Sequence, residues 1–131
     1  METDSVSRLV SIVDDDRLVR EGLTSLMRSA GFATEAFASA EEFLSLAHRD
    51  DIACLILDVG LTGISGLELQ SQLTATVSNH RTPVVFMTAR DDEATRQRAL
   101  KGGAVDFLCK PVRREALLNA VHLALQQNDG P

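Results

Sequence analysis

Ile52-Ala53-Cys54-Leu55-Ile56-Leu57-Asp58 is an unbroken apolar run that ends in an acid. A strand with one wet face alternates apolar and polar residues, whereas a strand covered on both faces does not. This run therefore reads as an inner strand of a parallel sheet, with Asp58 carried at its carboxyl end. Working outward, similar short runs occur at Leu9–Val13, Val84–Met87 and Val105–Cys109, with a weaker one at Ala33–Phe37.

Helical patterns fill the intervals. Asp16 is placed to cap a helix with the apolar stripe Val19, Leu23, Leu26, Met27 and Ala30, stopped by Gly31. Ser39 with Glu42, and Ser65 with Glu68, have capping-box spacing. Asp91, Asp92 and Glu93 open a further helix that Gly102-Gly103 ends. Leu117, Leu118, Val121, Ala124 and Leu125 give the last helix its stripe. Five strand–helix units predict an α/β fold, a doubly wound parallel sheet with helices on both faces.

The chain has 131 residues, 44% of them apolar and 24% charged, enough for one domain with a real core. Residues 1–7 read as an N-terminal extension, 8–126 as the domain, and 127–131 as a tail or the start of a linker. The polar, acidic start, Met1 to Ser5, is not a secretory signal, and no apolar run approaches a membrane span. A cytoplasmic location is expected. A net charge of −6 and the absence of Trp and Tyr argue against direct nucleic-acid binding. His48, His80 and His122 have no metal-ligand spacing and read as surface residues, and Arg17, Arg20 and Arg28 read as a solvated helix face. Cys54 and Cys109 both sit in apolar runs and read as buried thiols on non-adjacent strands, too far apart for a disulfide.

The polar residues at the strand ends carry the chemistry. The first strand delivers Asp14 and Asp15, the third Asp58, the fourth Thr88 and the fifth Lys110. Ligands of open parallel sheets bind at the carboxyl ends of strands, so these residues are expected to meet. Three carboxylates and one ammonium leave a negative excess, which calls for shared protons or a cation. The donors are hard oxygens, so Mg²⁺ is the natural cation. A carboxylate beside Mg²⁺, Lys110 and the Thr88 hydroxyl is equipped to take a phosphoryl group as an acyl phosphate.

At these positions the chain resembles the receiver domains of two-component response regulators. The matching stretches are Val13-Asp14-Asp15-Asp16, Leu57-Asp58-Val59, Gly66, Met87-Thr88-Ala89 and Gly103 to Pro111. The resemblance implies a flavodoxin-like sheet of order 2-1-3-4-5, phosphorylated on Asp58 by a sensor histidine kinase. It implies that Mg²⁺ is held by Asp15 and Asp58 directly, by Asp14 through water and by the carbonyl of Gly60. Thr88 and Phe107 match the switch positions, and the Lys110–Pro111 bond is expected to be cis. It further implies a phosphorylation-dependent homodimer through the fourth helix, fifth strand and fifth helix. Such a chain is a phosphoacceptor that assists its own phosphorylation and dephosphorylation rather than an enzyme acting on other substrates. One departure is Leu61-Thr62 where the family carries Met-Pro, which predicts a looser loop. Gly102 before the usual Gly103 predicts a softer end to the fourth helix.

Two other readings use the same residues. A phosphatase of the haloacid-dehalogenase type needs a second Asp two places after its nucleophile, where this chain has Gly60. A binding-only pseudo-receiver would not need Asp14, Asp15, Asp58, Thr88 and Lys110 all intact. Phe107 is as readily a plain core residue as a switch.

Overall fold

The computed structural model of the protein describes residues 8–46, 52–75, 82–90 and 92–129. Strands and helices alternate as expected: β1 (Leu9–Val13), α1 (Arg17–Ser29), β2 (Ala33–Phe37), α2 (Ala40–Leu46), β3 (Ile52–Asp58), α3 (Gly66–Ala75), β4 (Val84–Thr88), α4 (Glu93–Lys101), β5 (Asp106–Cys109) and α5 (Arg114–Asp129). The five strands form one parallel sheet in the order β2-β1-β3-β4-β5, the flavodoxin-like arrangement. Helix α5 runs on to Asp129. Residues 1–7, Asp91, His48 and His80 lie outside the described residues, and His122 is exposed.

All seven residues of β3 are buried, which explains its unbroken apolar run. Successive side chains point to opposite faces, so the run feeds two cores. Cys54 and Ile56 join Val10, Ile12, Val85 and Met87 under α1 and α5, which contribute Leu23, Met27, Leu117 and Val121. Leu55 and Leu57 join Val13, Phe86 and Phe107 on the other face, under Phe43 of α2, Leu69 of α3 and Ala99 of α4. Each large side chain buried in this way contributes about 1.5–3 kcal/mol.

Helix starts follow the expected caps. Asp16 Oδ1 accepts from the backbone N–H groups of Leu18 and Val19, at 2.9 and 3.3 Å. Ser65 and Glu68 exchange reciprocal hydrogen bonds. Ser39 accepts from Glu42 N–H, while Glu42 reaches back one residue further, to Ala38 N–H. Ala30 is the C-cap of α1 and faces solvent rather than the core. No described helix is long and apolar enough to cross a membrane.

Cys109 corrects one expectation. Cys54 is buried, but Cys109 is exposed, and both are free thiols. β5 is an edge strand, and only Phe107 of its four residues is fully buried. An apolar run on a sheet edge cannot be covered all round, because one flank has no neighbouring strand.

Candidate functional site

Four strand ends bring their polar residues together at the carboxyl edge of the sheet. Asp14 follows β1 directly, tied to the sheet by its N–H donating to the Phe37 carbonyl at 3.1 Å. It is fully buried, whereas Asp15 is exposed. Asp58 closes β3 and is 5% exposed. Gly66 lets α3 start against it, since a Cβ there would collide with the Asp58 carbonyl oxygen. Carboxylate oxygens of Asp14, Asp15 and Asp58 lie within 4.8 Å of one another. Lys110 Nζ donates to Asp14 Oδ2 at 2.9 Å and stands 3.6 Å from Asp58 Oδ1.

The electrostatics follow from this crowding. Burial pushes the Asp58 carboxyl above its ordinary value, helped by the charges of Asp14 and, more weakly, Asp15. The Gly60 N–H, 3.2 Å from Asp58 Oδ1, and the Lys110 charge oppose the rise without cancelling it. Burial alone would lower Lys110, but its hydrogen bond to Asp14 and the charges of Asp58 and Asp14 hold it above the usual lysine value. Three acids against one base leave a negative excess in a small volume. Hard oxygen donors in that setting fit a divalent cation such as Mg²⁺.

Thr88 closes β4 and is nearly buried. Its hydroxyl oxygen accepts from Arg90 N–H at 3.1 Å, leaving its O–H proton to donate. The Lys110–Pro111 bond is cis. Phe107 is already buried, at 4% exposure, with its ring 6.3 Å from Phe86. Arg96 of α4 lies over that ring at 6.0 Å and donates to the Phe107 carbonyl at 3.4 Å.

Five strands, two cores and these acids at one edge match a known family along most of the chain. A profile of the response regulator receiver domain matches residues 10–122. The chain belongs to the response regulator receiver family. Among its relatives, nodulation protein W of Bradyrhizobium diazoefficiens is 44% identical over 95% of this receiver and 54% of its own length. Response regulator protein TodT of Pseudomonas putida is 42% identical over 90% of the receiver and 51% of its own length. The solved structure of the response regulator StyR superimposes with a TM-score of 0.84 at 48% identity, over 92% of the receiver and 60% of StyR. The receiver thus spans about half the length of the two relatives.

Two places where the sequence departs from the family pattern acquire specific contacts in the receiver. The loop without proline is braced in other ways: Leu61 is buried in the core, and Glu41 of α2 accepts from Ile64 N–H at 3.3 Å. Gly102 caps α4 with an ordinary helical backbone, φ −75°. A Cβ there would stand 2.8 Å from Gln70 Oε1, so glycine lets the buried Gln70 dock against the end of α4, where its Nε2 donates to the Ala99 carbonyl at 3.0 Å. Sequence reasoning missed Gln70, Glu41 and Arg96. Their signal was a polar residue on an otherwise apolar or surface stripe, which has no meaning until the facing element is known.

Proposed function

We propose that this receiver takes a phosphoryl group on Asp58 from the phosphohistidine of a sensor histidine kinase, in a reaction that depends on Mg²⁺. The observation that carries the reading is the Asp58 carboxylate, nearly buried between Lys110 and the Asp14–Asp15 pair. An Asp58 oxygen attacks phosphorus, the P–N bond of the phosphohistidine breaks, and the leaving imidazole keeps the electron pair. Asp15 and Asp58 would hold Mg²⁺ directly, Asp14 through water, and Gly60 through its carbonyl. Bound there, Mg²⁺ neutralises charge on the transferring oxygens. Lys110, tethered to Asp14, is near enough to Asp58 to pair with the same oxygens. The Thr88 O–H donates to one of them.

The output follows from Thr88 and Phe107. Drawing Thr88 toward the phosphoryl group changes the packing beneath α4, whose Arg96 is joined to Phe107. The surface of α4, β5 and α5 then reorganises and pairs with a second copy. The receiver acts in the cytoplasm, makes no direct contact with nucleic acid itself, and signals to an output partner or domain. It catalyses no reaction on other substrates beyond its own phosphorylation and dephosphorylation. A turnover phosphatase is not favoured, because Gly60 supplies no general acid.

The test is labelling by acetyl phosphate with Mg²⁺, read by intact mass. One phosphate per chain is expected in the wild type and none in Asp58→Asn. Equal labelling of the two would reject Asp58 as the acceptor.

A further inference from the structure

Arg20 lies on α1 with two other arginines, and the three behave differently. Arg17 pairs with Glu21 at 2.9 Å on the exposed face, and Arg28 donates to Thr34 Oγ1 at 3.0 Å. Arg20 is half-buried and turns back past the helix start, where its Nη1 donates to the carbonyl oxygen of Asp14 at 2.8 Å. The reading of all three as a solvated face therefore fails for Arg20.

The bonded carbonyl belongs to the peptide that joins Asp14 to Asp15. Every other polar atom of Asp14 is also engaged. Its N–H donates to Phe37, Oδ1 accepts from Asp16 N–H at 2.9 Å, and Oδ2 accepts from Lys110. Asp15, by contrast, has an exposed side chain whose direction depends on the backbone that carries it. The peptide unit is planar, so fixing the direction of one carbonyl fixes the plane from which the next Cα departs.

We propose that Arg20 is a positioning residue of the cation site: by holding the Asp14–Asp15 peptide, it aims the Asp15 carboxylate at the space shared with Asp58. The inference rests on the reading of the acid cluster as a Mg²⁺ site. Two effects of removing Arg20 have opposite signs. As a nearby positive charge it repels a bound cation, so its loss through charge alone tightens Mg²⁺ binding. As a support for the Asp15 backbone its loss weakens binding, as it does for other groups that orient metal ligands.

The experiment compares the wild type, Arg20→Met and Arg20→Lys by calorimetric Mg²⁺ titration, with amide spectra and melting curves recorded in EDTA. Arg20→Met is expected to weaken Mg²⁺ about tenfold and to shift the amide signals of Asp15 and Asp16 in the metal-free protein. Arg20→Lys keeps the charge without the planar fork and is expected to fall between the two. Unchanged or tighter Mg²⁺ binding in Arg20→Met would overturn the proposal, as would a lowered melting midpoint with wild-type affinity. Should Arg20→Met not fold, wild-type affinity in Arg20→Lys overturns it instead. A wild type that binds no Mg²⁺ overturns the cation reading itself.

Discussion

Lys110 Nζ is hydrogen-bonded to Asp14 at 2.9 Å and stands 3.6 Å from Asp58. The ammonium is thus anchored on the fully buried acid and leans toward the proposed acceptor. The tether to the buried acid holds a positive charge within ion-pair distance of Asp58, beside the oxygens that would receive a phosphoryl group.

Lys110→Met should therefore separate two roles. Labelling of Asp58 by acetyl phosphate is expected to slow by about 10²-fold or more, the usual loss when a charge-stabilising group is removed. Mg²⁺ affinity, measured by calorimetry, should rise, because a competing cation is gone. Labelling at the wild-type rate would show that Lys110 takes no part in transfer.

Asp58→Asn should raise the melting midpoint of the metal-free protein by a few degrees at neutral pH. Burial and the Asp14 charge hold the Asp58 carboxyl above its ordinary value, so its ionised form opposes folding. That opposition is fully present above the raised folded value. It fades as pH falls through that value and is gone below the unfolded one. The gap between mutant and wild type should accordingly close on acidification. Melting curves from neutral to acidic pH in EDTA check this, and a gap independent of pH would contradict it.

Mg²⁺ should stabilise the wild type in proportion to its occupancy, by about 2.7 kcal/mol at a concentration one hundred times the dissociation constant. Asp15→Asn removes one charge from the cluster of three carboxylates and should lose most of that gain at the same concentration. Equal Mg²⁺-dependent shifts in both proteins would remove Asp15 from the site.

A thiol reagent should modify one cysteine in the native protein and two after unfolding. Cys109 is exposed, whereas burial pushes the Cys54 thiol up to about 12, so it offers no thiolate at neutral pH. Peptide mapping identifies the labelled site, and native labelling of Cys54 would contradict the packing of β3.

Arg96→Ala should loosen Phe107, because it removes a ring contact of about 0.5–1 kcal/mol together with the hydrogen bond to its carbonyl. Phe107 ring signals should broaden or shift, and dimerisation with beryllofluoride should change in midpoint. Ultracentrifugation with and without beryllofluoride reads the second effect. A wild-type mass unchanged over a wide concentration range would exclude the dimer, and association that survives Asp58→Asn would show it to be unrelated to phosphorylation.

The order of elements was readable residue by residue. The run at 52–58 suits a strand wet on neither face, and Asp16, Ser65 and Asp92 mark helix starts through bonds that span a few residues. Hydrophobic period and capping are local properties, so the chain states them without its fold. The same pattern placed Asp14, Asp58, Thr88 and Lys110 at the ends of strands, and parallel pairing put those ends at one edge.

Tertiary structure alone decided which of those groups touch. Nothing local distinguishes Arg20, bonded to Asp14, from Arg17 on the exposed face. Nor does anything local show that Gly102 serves the side chain of Gln70, or that Cys109 lies on an uncovered edge. Lys110 reaches Asp14 across 96 positions of sequence, and Gln70 reaches Ala99 across 29. Such contacts depend on sheet position and side-chain direction, which arise only when separate elements pack and bury their shared faces.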